Sequence, residues 1–263
     1  ALRYWPYFVL SLLFGLGGAY IINRYTTKIY YSEITLLLNQ DGTSNSGIES
    51  LMTKIGYYNP RLEFENEVIG LKSFDQSFDA LQDLKFEVEY YEIGRFKTTE
   101  VYEGANFTVV YDTNSSQLVN VGFELTGIDK NEFTLELPSS SGIKYYNYRT
   151  KSFEKNKLDF IDGSYKYDEW ISGSSYRFKI VREPNSFIGA ESRYRFKFRD
   201  YQSLARNYSS RIMVEAKAKG SSAIIVSLRG EIPEKISDFL NAFSDSYVEN
   251  TLDIKKSVAN TTL

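Results

Sequence analysis

The residues with the most chemical potential fall in one stretch, "SRYRFKFRD" (Ser192–Asp200). Arg193, Arg195, Lys197 and Arg199 alternate there with Tyr194, Phe196 and Phe198. On an extended strand this period of two sends the cations to one face and the rings to the other. Such a face is able to grip an anionic polymer or an acidic neighbouring subunit. The same pattern also describes an ordinary half-buried strand with solvated charges. Carboxylates cluster at Asp159 with Asp162 and at Asp168 with Glu169, residue types that glycoside hydrolysis needs as a pair across a sugar. Their neighbours Gly163, Ser164 and Gly173 have the composition of turns, which makes turn-forming acids the simpler reading. Adjacent tyrosines (Tyr30–Tyr31, Tyr57–Tyr58, Tyr90–Tyr91, Tyr145–Tyr146) suit sugar stacking, and equally suit strands filled on both faces.

The 263 residues include neither Cys nor His. That excludes disulfides, thiolate or imidazole metal sites, Cys nucleophiles and every His-based triad. No G-x-x-x-x-G-K-[ST] loop occurs. The sequence therefore nominates no catalytic, cofactor-binding or metal-binding residue and implies no cofactor. With 31 Lys and Arg against 34 Asp and Glu, the net charge of −3 gives no electrostatic reason to expect nucleic acid. Absence of cysteine in a chain of this size leans towards a bacterial protein. Aromatics at 16%, with 22 tyrosines, suit a strand-rich architecture.

The elements that would position these residues begin with "WPYFVLSLLFGLGGAYII", Trp5–Ile22, which carries no charge. Eighteen helical residues rise about 27 Å, close to the roughly 30 Å hydrocarbon core of a bilayer. Tyr4, Trp5 and Tyr7 at one end and Tyr20 and Tyr25 at the other match interfacial aromatic belts. Gly15, Gly18 and Ala19 would let a second helix pack closely. A signal peptide with a small-residue site at Gly17 and Ala19 is the competing reading. Basic residues on both sides, Arg3 against Arg24 and Lys28, leave the orientation open.

After this segment, Lys28–Asn39 reads as a strand, Asp41–Gly47 as a loop and Ile48–Ile55 as a short helix. A helical pattern covers Phe64–Leu84, broken or bent near Ser73, with Val68, Leu71, Phe74, Phe78, Leu81 and Leu84 on one face. Phe86–Ile93 alternates as a strand. From Phe107 to about Lys179, short alternating runs divided by Gly, Ser, Asn and Asp predict a sheet or sandwich. Tyr201–Tyr208 reads as a helix, followed by strands in "RIMVEAKA" and "AIIVSLRG". Pro233 opens a long amphipathic helix through Ile236, Phe239, Leu240, Phe243, Tyr247, Ile254 and Val258. Neither Gly nor Pro ends it, and the chain opens without Met, so an excerpt of a larger membrane protein is expected. The fold class is α+β.

Three stretches together resemble the Wzz-type polysaccharide co-polymerases, in particular the periplasmic region of bacterial tyrosine autokinases for capsule or exopolysaccharide. The first is "YYSEITLLL" after the apolar segment. In the second, Glu67, Leu71, Lys72 and Ser73 precede Leu84, Val88, Tyr90 and Tyr91. In the third, a strand runs into Gly230, Pro233, Leu240, Asn241 and Tyr247, with Ser237 or Ile236 replacing an Ala of the family pattern and Phe243 replacing a Leu. The resemblance covers roughly 120 residues at the two ends of the chain and only weakly the middle.

It implies a transmembrane helix at 5–22, a first part of a membrane-proximal base at 26–93 and a β-rich insertion at 94–200. Returning strands of the base at 201–231 and the start of a long periplasmic helix at 232–263 would follow. It further implies an inner-membrane chain-length regulator that forms a homo-oligomeric ring and couples polymerisation to export. Its partners would be membrane lipid, an outer-membrane export protein and the polymerase or nascent polysaccharide. A second span and a cytoplasmic kinase domain would lie beyond Leu263, leaving this stretch without activity of its own. The alternative is a membrane-anchored periplasmic module that binds glycan or protein through its β-rich middle and the Arg193–Arg199 face.

Overall fold

Alternating and helical patterns sort themselves into two hydrophobic cores in the computed structural model, which describes residues 2–37, 60–139, 141–184, 188–189, 192–218 and 223–261. The expected loop at Asp41–Gly47 and helix at Ile48–Ile55 lie outside these residues. Helix α1 (Trp5–Tyr25) carries no buried residue. Its 21 residues give it a length of about 31 Å, enough to cross a membrane. Its apolar surface is left uncovered by the other described residues.

The first core belongs to an α/β base. Strand β1 (Tyr30–Leu37) pairs antiparallel along its whole length with a strand nearly two hundred residues later, which in turn pairs with a strand at Met213–Ala216. Helix α2 (Pro60–Leu71) precedes α3 (Phe74–Gln82), and the break falls at Ser73. Ser73 is extended and its hydroxyl accepts from the Gln76 amide at 3.1 Å, so it caps α3 and stops α2 from continuing. Leu71, Leu81, Phe86, Ile224, Val226, Phe239, Leu240 and Phe243 close the core.

The second core is β-rich. Its strands are β2 (Val88–Ile93), β3 (Thr98–Val101), β4 (Phe107–Tyr111), β5 (Ser116–Val119), β6 (Gly122–Gly127), β7 (Glu132–Glu136), β8 (Lys144–Asn147), β9 (Ser152–Glu154), β10 (Gly163–Lys166), β11 (Trp170–Ser172), β12 (Arg177–Arg182) and β13 (Arg193–Phe198). Nine of them form one sheet around β13, and β11, β12 and β4 form a second. The two meet through aromatic rings: Phe123 stacks on Phe196 at 5.0 Å and meets Phe178 of the small sheet at 5.4 Å. Strand β2 falls inside the 26–93 stretch read as the first part of the base. Strand β2 pairs with β13 because Val88 turns into this aromatic core and Tyr90 packs against it.

The chain returns to the base through α4 (Tyr201–Arg211), β14 (Met213–Ala216), β15 (Ala223–Gly230) and α5 (Pro233–Thr261). Asp200 caps α4, its carboxylate accepting from the Ser203 amide at 2.7 Å. The two crossings between the cores are tied together, the Arg199 amide donating to the Glu87 carbonyl at 2.8 Å. Tyr102 of the β-rich part reaches over the base, donating to Asp238 of α5 at 2.6 Å and meeting Phe86 edge-on at 5.6 Å.

Candidate functional site

Strand β13 presents its side chains as alternation requires. Tyr194, Phe196 and Phe198 are buried, while Arg193, Arg195 and Lys197 face outward. Arg199 follows the strand and is partly buried. The outward face is not a field of one sign. Glu124 of β6 lies opposite Arg195 in the register and pairs with both Arg195 and Arg193, the latter at 3.0 Å. Glu89 of β2 lies opposite Lys197 and takes Arg199 at 3.4 Å. The Lys197 ammonium stands 5.2 Å over the Tyr91 ring, and the Tyr91 hydroxyl donates to Glu89 at 2.8 Å. Glu136 continues the Arg195 row beyond Glu124, and Glu100 continues it beyond Tyr91. The four cations thus sit among four acids, an arrangement of cross-strand opposite charges that stabilises the sheet.

The acids respond accordingly. Hydrogen bonding from Arg195 holds the Glu124 carboxyl below the usual carboxylate range. Gly122 beside it leaves room for the stems of its neighbours, since a Cβ there would lie 2.7 Å from Arg195 Cδ. The Glu100 end of the row reaches the base. Lys235 of α5 pairs with Glu100 and stands 5.2 Å over the Phe86 ring. Burial chiefly, with Glu100 next, pushes the Tyr208 phenol up.

The residues of the C-terminal and helical motifs converge in the base. Leu71 and Leu240 are fully buried, Lys72 is exposed and Ser73 caps α3. Pro233 is the first residue of α5. Close approach explains Gly230: a Cβ there would sit 3.2 Å from the Ile236 side chain. Tyr247 donates to Glu67 at 2.6 Å, joining α5 to α2 across 180 residues of sequence. Gln76 donates to the Phe243 carbonyl at 3.2 Å and to Ser246 at 2.8 Å. Ile236 is buried and Ser237 approaches Ser32 of β1 at 3.4 Å. Asn241 is exposed on the free side of α5. Gly15 and Ala19 are exposed on α1, Gly18 is half-covered, and a Cβ at Gly15 or Gly18 would meet nothing within 4 Å.

Of the two acid clusters, Asp168 lies in a turn, whereas Asp159 and Asp162 tie their loop to segments 15 and 25 residues away. Asp159 accepts from the Ser174 amide, Asp162 accepts from the Leu137 amide at 2.8 Å, and Asp168 adopts a φ of 64°. Among the described residues, no group of three or more acids is placed to hold a metal ion. Sequence reasoning missed an open cleft of about 460 Å³ beside the crossing, lined by Tyr90, Tyr102, Asn106, Phe107, Thr108 and Glu183. Its polar groups are fixed by neighbours. The Val109 amide donates to the Tyr90 hydroxyl at 3.0 Å, Asn106 donates to the Tyr194 hydroxyl at 2.6 Å, and Thr108 donates to Glu183 at 2.6 Å. Burial pushes the Tyr90 phenol up to about 12, so it stays neutral. These residues come from strand ends that no local pattern joins.

No protein-family model matches the chain, and no curated protein matches it. A crystal structure of FlgL from Xanthomonas campestris aligns over 86% of this chain and 82% of its own, at 10% identity and a TM-score of 0.23. A likeness that slight carries no argument about fold or function.

Proposed function

We propose that this chain is the membrane-anchored, membrane-proximal part of a bacterial polysaccharide co-polymerase, a regulator that oligomerises and couples polymer growth to export. One observation carries the reading. The stretches that resemble that family, at Tyr30–Leu37, Glu67–Leu84, Met213–Ala216 and Ala223–Tyr247, lie far apart in sequence and pack into a single α/β base after the apolar helix, while the Val88–Tyr91 end of the second stretch continues into the β-rich core. In this reading α1 anchors the base at the inner membrane with the bulk in the periplasm. The bases assemble side by side into a ring of identical subunits. Helix α5, about 44 Å long for its 29 residues, projects from the base towards an outer-membrane export partner. Its exposed Val248 and Leu252, each 49% accessible, offer an apolar surface for a neighbouring subunit. The stretch performs no chemistry. It acts by holding the polymerase and nascent polysaccharide in a fixed geometry.

The test is the size distribution of surface and secreted polysaccharide on gels, with and without the gene. Loss of polymer, or a defined length class becoming a random ladder, is the expected result. An unchanged profile overturns the reading for the polymers assayed.

The cleft favours a second reading, a membrane-anchored glycan-binding module. Neutral tyrosines beside fixed amide and carboxylate groups are suited to a sugar ring. That reading expects an unchanged length profile, and lost glycan binding in Tyr90→Ala.

A further inference from the structure

The turn between β2 and β3, Gly94–Lys97, extends from the β-rich core back to the end of α1. Lys97 Nζ donates to Thr27 Oγ1 at 3.0 Å. The Phe96 ring lies 6.2 Å from the Tyr25 ring, edge to face. The turn is tight, the Gly94 amide donating to the Lys97 carbonyl at 3.0 Å, and a Cβ at Gly94 would lie 2.9 Å from that same oxygen. Glycine therefore sets its shape. Phe96 is 75% exposed although it is a large apolar side chain, and Ile29 nearby is 61% exposed. The Arg95 guanidinium stands 5.5 Å over the Phe96 ring.

We propose that this turn docks onto the phospholipid bilayer beside the exit of α1, with Phe96 entering the headgroup–acyl boundary and Arg95 and Lys97 facing lipid phosphates. The proposal rests on reading α1 as a membrane span. A helix of 21 residues just covers the hydrocarbon core, which leaves Tyr25 at the interfacial level where aromatic side chains collect. Phe96 lies at ring-contact distance from Tyr25, hence at the same depth. Arg24 and Lys28 of the exit segment and Arg95 and Lys97 of the turn place four cations there, and neither Asn23–Ile29 nor Gly94–Lys97 contains an acid. Cations around an exposed ring match an anionic lipid surface, in which basic groups meet phosphates and the ring enters the boundary layer. Because β2 pairs with β13, a docked turn would fix the tilt of the whole β-rich part against the membrane.

The chain lacks cysteine, so single-cysteine variants of the full chain report cleanly after labelling with an environment-sensitive fluorophore. Leu13→Cys, Phe96→Cys and Ile161→Cys are each reconstituted in vesicles containing anionic phospholipid and lipid-borne nitroxide quenchers. Deep quenching at position 13, shallow quenching at 96 and neither at 161 is the expected result. Adding Arg95→Glu and Lys97→Glu should at least halve the quenching at 96, and an unchanged value overturns the headgroup contact. Quenching at 13 with position 96 behaving like 161 overturns docking while the span stands. An unquenched position 13 overturns the span and docking with it. A label at 96 shielded from aqueous iodide yet unquenched by lipid assigns the turn to a protein partner, and also overturns the proposal.

Discussion

At Glu87 burial opposes a charge that its neighbours only partly support. One carboxylate oxygen accepts from the Tyr111 hydroxyl at 3.0 Å, and the other is buried without a hydrogen-bond partner among the described residues. Desolvation outweighs the bond from its own backbone amide, the Tyr111 bond and Lys85, and raises its pKa above the ordinary 4.5. The folded chain therefore holds this proton more tightly than the unfolded chain, and stability falls as pH rises from 4.5 through the folded value. Glu87→Gln should remove that slope and raise the thermal midpoint at pH 7 to 8. Parallel pH profiles for variant and parent would refute this. Glu124 has the opposite sign. Its depressed pKa contributes stability above the ordinary 4.5 that disappears as pH falls through the folded value. Glu124→Gln should cost about 1 kcal/mol or less by denaturant titration at pH 7, because Arg193 is largely solvent-screened, and nothing once acid has protonated the parent. Alternation of cations and rings at 193–199 was readable from the sequence. The identity of their partners was not, because Glu124 and Glu89 lie 71 and 110 residues away and register alone brings them opposite.

Element ends were legible where a side chain itself makes the boundary. Ser73 interrupts the helical pattern because its hydroxyl replaces the missing backbone partner of α3, and Ser73→Ala should cost about 1 kcal/mol in chemical denaturation. An unchanged midpoint would show that α2 and α3 separate for another reason. Within α5 the apolar face packs only while the base lies beneath it. Phe243 is fully buried, so Phe243→Ala should cost about 3 to 5 kcal/mol. Val248→Ala, on an exposed position, should leave the stability of the isolated chain within about 0.5 kcal/mol. If the ring reading is right, that second variant instead weakens crosslinked oligomers in membranes. The turn at Gly94–Lys97 escaped sequence reading altogether, because "GRFK" carries no signal of what stands 6 Å away in space.

For the whole molecule, two cores joined by two crossings predict separable stability. A piece spanning residues 87–200 should fold alone, with a cooperative transition by circular dichroism, since its aromatic core closes without the base. A non-cooperative melt would mean that Tyr102 and the Glu100–Lys235 pair are required to hold it. By itself the sequence determined the membrane-length apolar helix, the α+β class, the absence of Cys and His chemistry and the period of the helices and of the longer strands, though not of short strands such as β3, β5 and β9. These properties are local, set by composition, by the 2.0 and 3.6 residue repeats and by capping side chains. Only the tertiary structure decided that β2 belongs to the β-rich core, that acids balance the basic strand, which side chains from the two ends of the chain close one core and that a turn at residues 94–97 meets the C-terminal end of α1. Each of these is a contact between segments distant along the chain. Such contacts depend on strand register and on which apolar faces meet, and both are settled by burying the most surface across the whole fold rather than by any residue's own preference.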